Sequence, residues 1–204
     1  MILGVDLDNT IVCYDQLFRD LALGRGWIPA TVNASKGAVR QWLRQAGQED
    51  LWTQLQGLAY GPGMQDAPPF PGALAFFRRC RELGVPIVVI SHRSRHPFLG
   101  PPYDLHQAAR EWLAAQGFHD AGEIGLSEEC VYFELTVQDK LARIRQTRCS
   151  HFIDDLAEFL CEPSFPEGVQ KILFDPNDLG PECPGAWRAD SWHTLQTRLL
   201  ADGP

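Results

Sequence analysis

Five short apolar runs, at residues 2–7, 85–90, 131–133, 152–153 and 169–174, are separated by stretches in which apolar residues recur at helical spacing. No other feature of the chain constrains its fold as strongly. Runs this short and this apolar read as strands buried on both faces. The intervening stretches carry single apolar stripes: Leu74, Phe77 and Leu83 ahead of the second run, Ala108, Trp112 and Leu113 after it, and Leu141 and Ile144 ahead of the fourth. Alternating strands and helices predict an α/β fold, a doubly wound parallel sheet with helices on both faces. Ligands of such sheets sit outside the carboxyl ends of the strands. Asp6 and Asp8 follow the first run, Ser91 the second, and Asp154 and Asp155 the fourth. Three strand ends thus converge on one edge.

Two stretches interrupt the alternation. Residues 15–65 offer three amphipathic helices, around 17–23, 36–45 and 50–58, followed by the breakers Gly61-Pro62-Gly63 and Pro68-Pro69-Phe70-Pro71-Gly72. They predict a small helical insertion over residues 15–68, set into a core formed by 1–14 and 69–204. Residues 92–103 carry His92, Arg93, Arg95 and His96 ahead of Gly100-Pro101-Pro102. Such a stretch is neither regular helix nor central strand, and predicts a loop over the strand ends. Beyond residue 176, Pro181, Pro184 and Gly185 lead into a last helix around 192–200.

Composition excludes several function classes. A chain of 204 residues, 45% hydrophobic and 22% charged, is long and apolar enough to close one sizeable core. The net charge of -8 offers no broad positive field to a phosphate backbone, so no nucleic-acid partner is expected. No uncharged apolar stretch approaches the ~20 residues of a membrane span. The start of the chain, with acids in its first ten residues, lacks a basic segment followed by an apolar one, so a cytoplasmic protein without a signal peptide is expected. Six scattered cysteines form no C-x-x-C pair and read as reduced and mostly buried.

Asp6 and Asp8 occupy alternate positions where a buried strand ends, so both face one side if the strand geometry persists. Such a pair is either a turn-capping device or a metal-binding and covalent-catalysis pair. Taken singly, Ser91 is a strand cap, Lys140 a solvated helix lysine, and Asp154-Asp155 an unfavourable pair of like charges. Each gains meaning from its place in one ordered set along the edge of the sheet.

That set, D-x-D-x-T at residues 6–10, Ser91 closing a strand, Lys140 upstream of a later strand and Asp154-Asp155 at its end, resembles the haloacid dehalogenase-like hydrolase superfamily. The resemblance covers residues 2–10, 70–91 and 140–158. It implies a Rossmannoid core with a helical cap inserted between Asp8 and Ser91. It further implies Asp6 as nucleophile, Asp8 as general acid and base, and Ser91 and Lys140 as ligands of the phosphate oxygens. Mg²⁺ would be held by Asp6, Asp8, through its main-chain carbonyl, and Asp154 or Asp155. Many relatives close the later strand with G-D and a further acid, whereas here Asp154-Asp155 is followed by Glu158, so the choice between the two acids stays open.

The chemistry explains the association. A phosphoryl group in flight is rich in negative charge, and a carboxylate nucleophile approaches it only with a cation and a lysine alongside. The dehalogenase branch lacks an acid at the place of Asp8, so its presence favours phosphate esters. The implied activity is a magnesium-dependent phosphatase acting on a small phosphorylated metabolite through an aspartyl-phosphate. Two alternatives share these residues: a phosphotransferase or phosphomutase of the same superfamily, and a non-catalytic magnesium- and phosphate-binding regulatory protein. A response-regulator receiver gathers similar groups, but its lysine comes last in the chain. His92, Arg93 and Arg95 either bind a second anionic group of the substrate or form a solvated loop. Trp27, Trp42 and Trp52 fit the core of the insertion better than a ligand platform.

Overall fold

The computed structural model describes residues 1–178 and 180–201. In chain order the elements are β1 (Leu3–Val5), α1 (Asp15–Gly24), α2 (Lys36–Gln45), α3 (Glu49–Tyr60), a 3-10 turn (Pro62–Asp66), α4 (Ala73–Glu82), β2 (Ile87–His92), α5 (Leu105–Ala115), a 3-10 turn (Glu128–Cys130), β3 (Val131–Glu134), α6 (Val137–Gln146), β4 (His151–Asp154), α7 (Ala157–Leu160), β5 (Gln170–Phe174), β6 (Ala186–Ala189) and α8 (Trp192–Leu200). The chain divides into two compact units, one of Met1–Ile11, Pro69–His92 and Gly117–Pro204, the other of Val12–Pro68 and Arg93–Gln116.

The first unit holds a wholly parallel sheet in the order β3-β2-β1-β4-β5-β6. Five of the six strands lie where the apolar runs place them. Alternation along the strands separates two apolar faces. Val88, Ile90, Phe152 and Leu173 pack with Leu141, Ile144, Phe159 and Phe165 on the side of α6 and α7. On the other, Phe174 meets Trp192 of α8, which in turn packs on Phe76 and Phe77 of α4. Gly4, in β1, owes its place to close approach: a Cβ there would lie 2.8 Å from Cys149 Sγ and closer still to the Phe152 ring. The strand sits against that ring because it carries no side chain at this point.

The second unit is helical. Its core stacks Phe18 on Trp52, with ring centroids 5.1 Å apart, and sets Tyr14 edge-on to Tyr60 at 5.0 Å. Helix α5 joins it through Trp112, whose Nε1 donates to Ala67 O at 2.8 Å. Thus Arg93–Gln116 groups with the insertion and not with the core, and this unit begins at Val12 in place of residue 15. Trp52 is core as expected, while Trp42 is 36% exposed.

Three further expectations change. His92 closes β2 and is not the first loop residue. The strand β6 was not anticipated; it pairs with β5 at the sheet edge. Cys161 and Cys183 form a disulfide, their Cα atoms 5.9 Å apart, while Cys13, Cys80, Cys130 and Cys149 are free. Among the described residues no helix is long and apolar enough to cross a membrane.

Candidate active site

Parallel pairing aligns the strand ends that carry the chemistry. Val5 lies opposite Val89 on one side and Ile153 on the other. Asp6 N donates to Ile153 O at 2.9 Å, which fixes the end of β1 against that of β4. The next residue of each strand is an acid, so Asp6 and Asp154 are brought side by side. Both are buried, and two carboxylates this close in low dielectric require a counter-charge.

Lys140 supplies it. Its Nζ lies 2.7 Å from Asp6 Oδ1 and 2.7 Å from Asp154 Oδ2. Helix α6 delivers the lysine: Thr136 caps it, its Oγ1 accepting from Asp139 N at 3.0 Å, and Lys140 N donates to Thr136 O one turn in. Aromatic rings wall the ammonium, with Phe159 at 4.2 Å and Phe152 at 5.4 Å from their centroids. The Phe152 ring is the one that Gly4 accommodates, so a glycine in β1 indirectly sets the lysine's surroundings.

Asp154 is held at both oxygens, since Oδ1 accepts from Leu156 N at 2.9 Å. Asp155 completes a trio: one carboxylate oxygen each from Asp6, Asp154 and Asp155 all lie within 4.8 Å of one another. Such a set of hard oxygen donors fits Mg²⁺, which takes oxygen ligands and retains several waters. Asp8, half-buried, stands near Ser91, whose Oγ points to its Oδ2 across a long 3.5 Å. Burial pushes the Asp6 carboxyl up to about 7; Lys140 opposes that rise, while the charges of Asp154 and Asp8 add to it. Lys140 itself is held above the ordinary lysine range, its two carboxylates outweighing burial.

The structure therefore brings together Asp6, Asp8, Ser91, Lys140, Asp154 and Asp155, while Arg93 and Arg95 of the following stretch belong to the other unit. His92 is exposed, with Nε2 3.1 Å from Leu135 O. Arg93 is buried within the helical unit, where it donates to Leu105 O at 2.9 Å and Tyr14 OH at 3.0 Å and lies over the Tyr60 ring. Arg95 pairs with Asp104 at 3.1 Å.

The loop that follows β1 is held mainly through its backbone. Asn9 contributes a left-handed backbone, with φ 58°. Thr10 Oγ1 is buried with no hydrogen-bond partner among the described residues. The loop closes through Ile11 N to Leu7 O at 2.9 Å, and Trp192 Nε1 donates to Thr10 O at 3.1 Å. Trp192, Phe159 and the amide of Leu156 are supporting groups that no motif in the sequence marks.

No family model matches the sequence, and no curated protein does. Among solved structures, the chain is similar to YfnB of Bacillus subtilis, assigned as a HAD-hydrolase and bound to magnesium, at 13% identity over 98% of each chain with a TM-score of 0.58. A HAD family hydrolase of Deinococcus radiodurans R1 with bound phosphate and sodium is 17% identical over 98% of this chain and 95% of that one, with a TM-score of 0.56. A dehalogenase is 14% identical over 98% and 97%, with a TM-score of 0.54.

Proposed function

The chain has the haloacid dehalogenase-like fold, and we propose that it is a hydrolase of that kind: a magnesium-dependent phosphatase that cleaves a small phosphorylated metabolite through an aspartyl-phosphate on Asp6. One observation carries the reading. Lys140 bridges the nucleophile Asp6 to Asp154, with Asp155 in ligand reach and a second acid, Asp8, two residues along the same loop. The magnesium and phosphate bound by two of the similar structures lend support.

Asp6, Asp154 and Asp155 would hold the ion, together with the main-chain carbonyl of Asp8. When bound, Mg²⁺ offsets the charge of the phosphate oxygens and of the carboxylates around it. Asp6 attacks phosphorus as the bond to the ester oxygen breaks, and Asp8 delivers its proton to the departing alkoxide. Ser91 and Lys140 donate to the equatorial oxygens. Asp8, now a carboxylate, then takes a proton from water. The water oxygen bonds to phosphorus, the bond to Asp6 breaks, and inorganic phosphate leaves.

A dehalogenase reading is disfavoured by Asp8, since displacing halide from a haloacid needs no acid to protonate the leaving group. Transfer to another acceptor uses the same first half-reaction and differs only in what Asp8 deprotonates. Four free cysteines accord with a cytoplasmic setting, with the Cys161–Cys183 bond as the exception to it.

The test is to stall the second step. Asp8→Asn protein incubated with acetyl phosphate and Mg²⁺ should gain one phosphoryl group by intact-mass spectrometry, labile to hydroxylamine and mapped to Asp6. No adduct on Asp6, together with halide release from 2-chloropropionate by the wild type, would replace the phosphatase by a dehalogenase.

A further inference from the structure

The sheet carries a recess at the end opposite the candidate active site. Residues 85–87 at the entry to β2 and residues 124–130 before β3 enclose, with α4, a half-open cavity of about 350 Å³. Phe77, Val85, Ile87, Ile124 and Leu126 make its walls apolar. It lies at the amino ends of the strands, whereas Asp6, Ser91 and Asp154 lie at the carboxyl ends, so nothing in the candidate active site accounts for it.

One cation faces this apolar space. Arg78 and Arg79, on the same helix as Arg81, are paired with Glu123 and Glu82 at 2.5 and 2.9 Å. Arg81 lines the recess, and its guanidinium has no hydrogen-bond or ion-pair partner among the described residues. Its guanidinium is seated on Gly125: a Cβ there would lie 2.9 Å from Nη1 and 3.2 Å from Cζ, and the backbone is left-handed, φ +66°. A side chain at position 125 would both strain the turn and displace the guanidinium. The half-buried thiol of Cys130 completes the wall.

An apolar cavity with one placed charge is the usual form of a small-molecule site, and this one is near the small end of the range. A planar guanidinium matches a carboxylate in two parallel hydrogen bonds. We propose that the recess binds a small carboxylate with an apolar body, its carboxylate on Arg81 and its body between Phe77, Ile87 and Leu126, independently of the reaction at Asp6.

The probe is 4-phenylbutyrate, titrated calorimetrically into the full chain and compared with its uncharged amide. The acid should bind, the amide roughly tenfold more weakly, and Arg81→Gln should lose about the same tenfold for the acid. Arg81 is exposed, so the variant's unfolding midpoint should match the wild type's. In parallel, saturating acid should slow alkylation of Cys130 by iodoacetamide and leave that of Cys13 unchanged. Equal affinity for acid and amide, an Arg81→Gln variant that binds like wild type, binding without protection of Cys130, or no binding at all would each overturn the proposal.

Discussion

Lys140 lies near the amino end of α6, where the helix dipole disfavours a cation, and it is almost wholly buried. It stays charged because Asp6 and Asp154 each accept a hydrogen bond from its ammonium. Removing it leaves carboxylates buried with their counter-charge gone, a situation that costs about 3–5 kcal/mol. Lys140→Met should therefore lower the unfolding free energy by that order at neutral pH, read by urea denaturation, and Mg²⁺ should restore more stability to the variant than it adds to wild type. An unchanged midpoint would mean that the ion pair is not formed. His151 gives a pH dependence: burial holds it below its ordinary value of 6.5, outweighing its hydrogen bond to Gln170. Its unfolded form binds the proton first as pH falls, so the stability it contributes is present above about 6.5 and lost through the window below. In His151→Gln, the decline in unfolding midpoint between pH 7 and pH 5 should be shallower than in wild type.

Elements were legible where local pattern and tertiary role agree. β1, β2, β4 and β5 are short apolar runs because both faces are covered, and the helix at Lys36–Gln45 lies where its apolar spacing places it, capped by Ser35. Asp6, Ser91 and Asp154 were legible for the same reason: a parallel sheet places every strand's last residue on one edge. Strand β6 was hidden because Ala186–Ala189 is a four-residue edge strand, flanked by Gly185 and Asp190, with Arg188 in its middle. The tie between Arg93 and Tyr14 spans 79 residues, a separation at which periodicity carries no information. Gly4 shows the same limit, since its role depends on Phe152 from another strand. Gly4→Ala should destabilise the protein by about 1–3 kcal/mol through overpacking against that ring, measured by denaturant unfolding. A neutral substitution would show that the strand tolerates a methyl group there.

At the scale of the whole molecule, the first unit gathers three chain segments and the second gathers two, so the chain passes repeatedly between them. The Cys161–Cys183 bond lies within the first unit and closes a loop of sequence separation 22 next to α7, the segment that supplies Leu156 N and Phe159 to the site. A loop of that length is worth about 3 kcal/mol on the chain-entropy account. Reduction, or the Cys161→Ser and Cys183→Ser pair, should lower the unfolding free energy by about that amount, with differential alkylation confirming which thiols appear. Reduction that frees no new thiol would contradict the pairing.

The most direct test of the central reading is release of inorganic phosphate from a panel of small phosphorylated metabolites, for wild type and Asp6→Asn, with Mg²⁺ and with chelator. Turnover of at least one ester by wild type with Mg²⁺, abolished by chelation and by Asp6→Asn, is the predicted result. Turnover that survives Asp6→Asn, or an inert wild type that still binds Mg²⁺ across the whole panel, would contradict a phosphatase with Asp6 as its nucleophile.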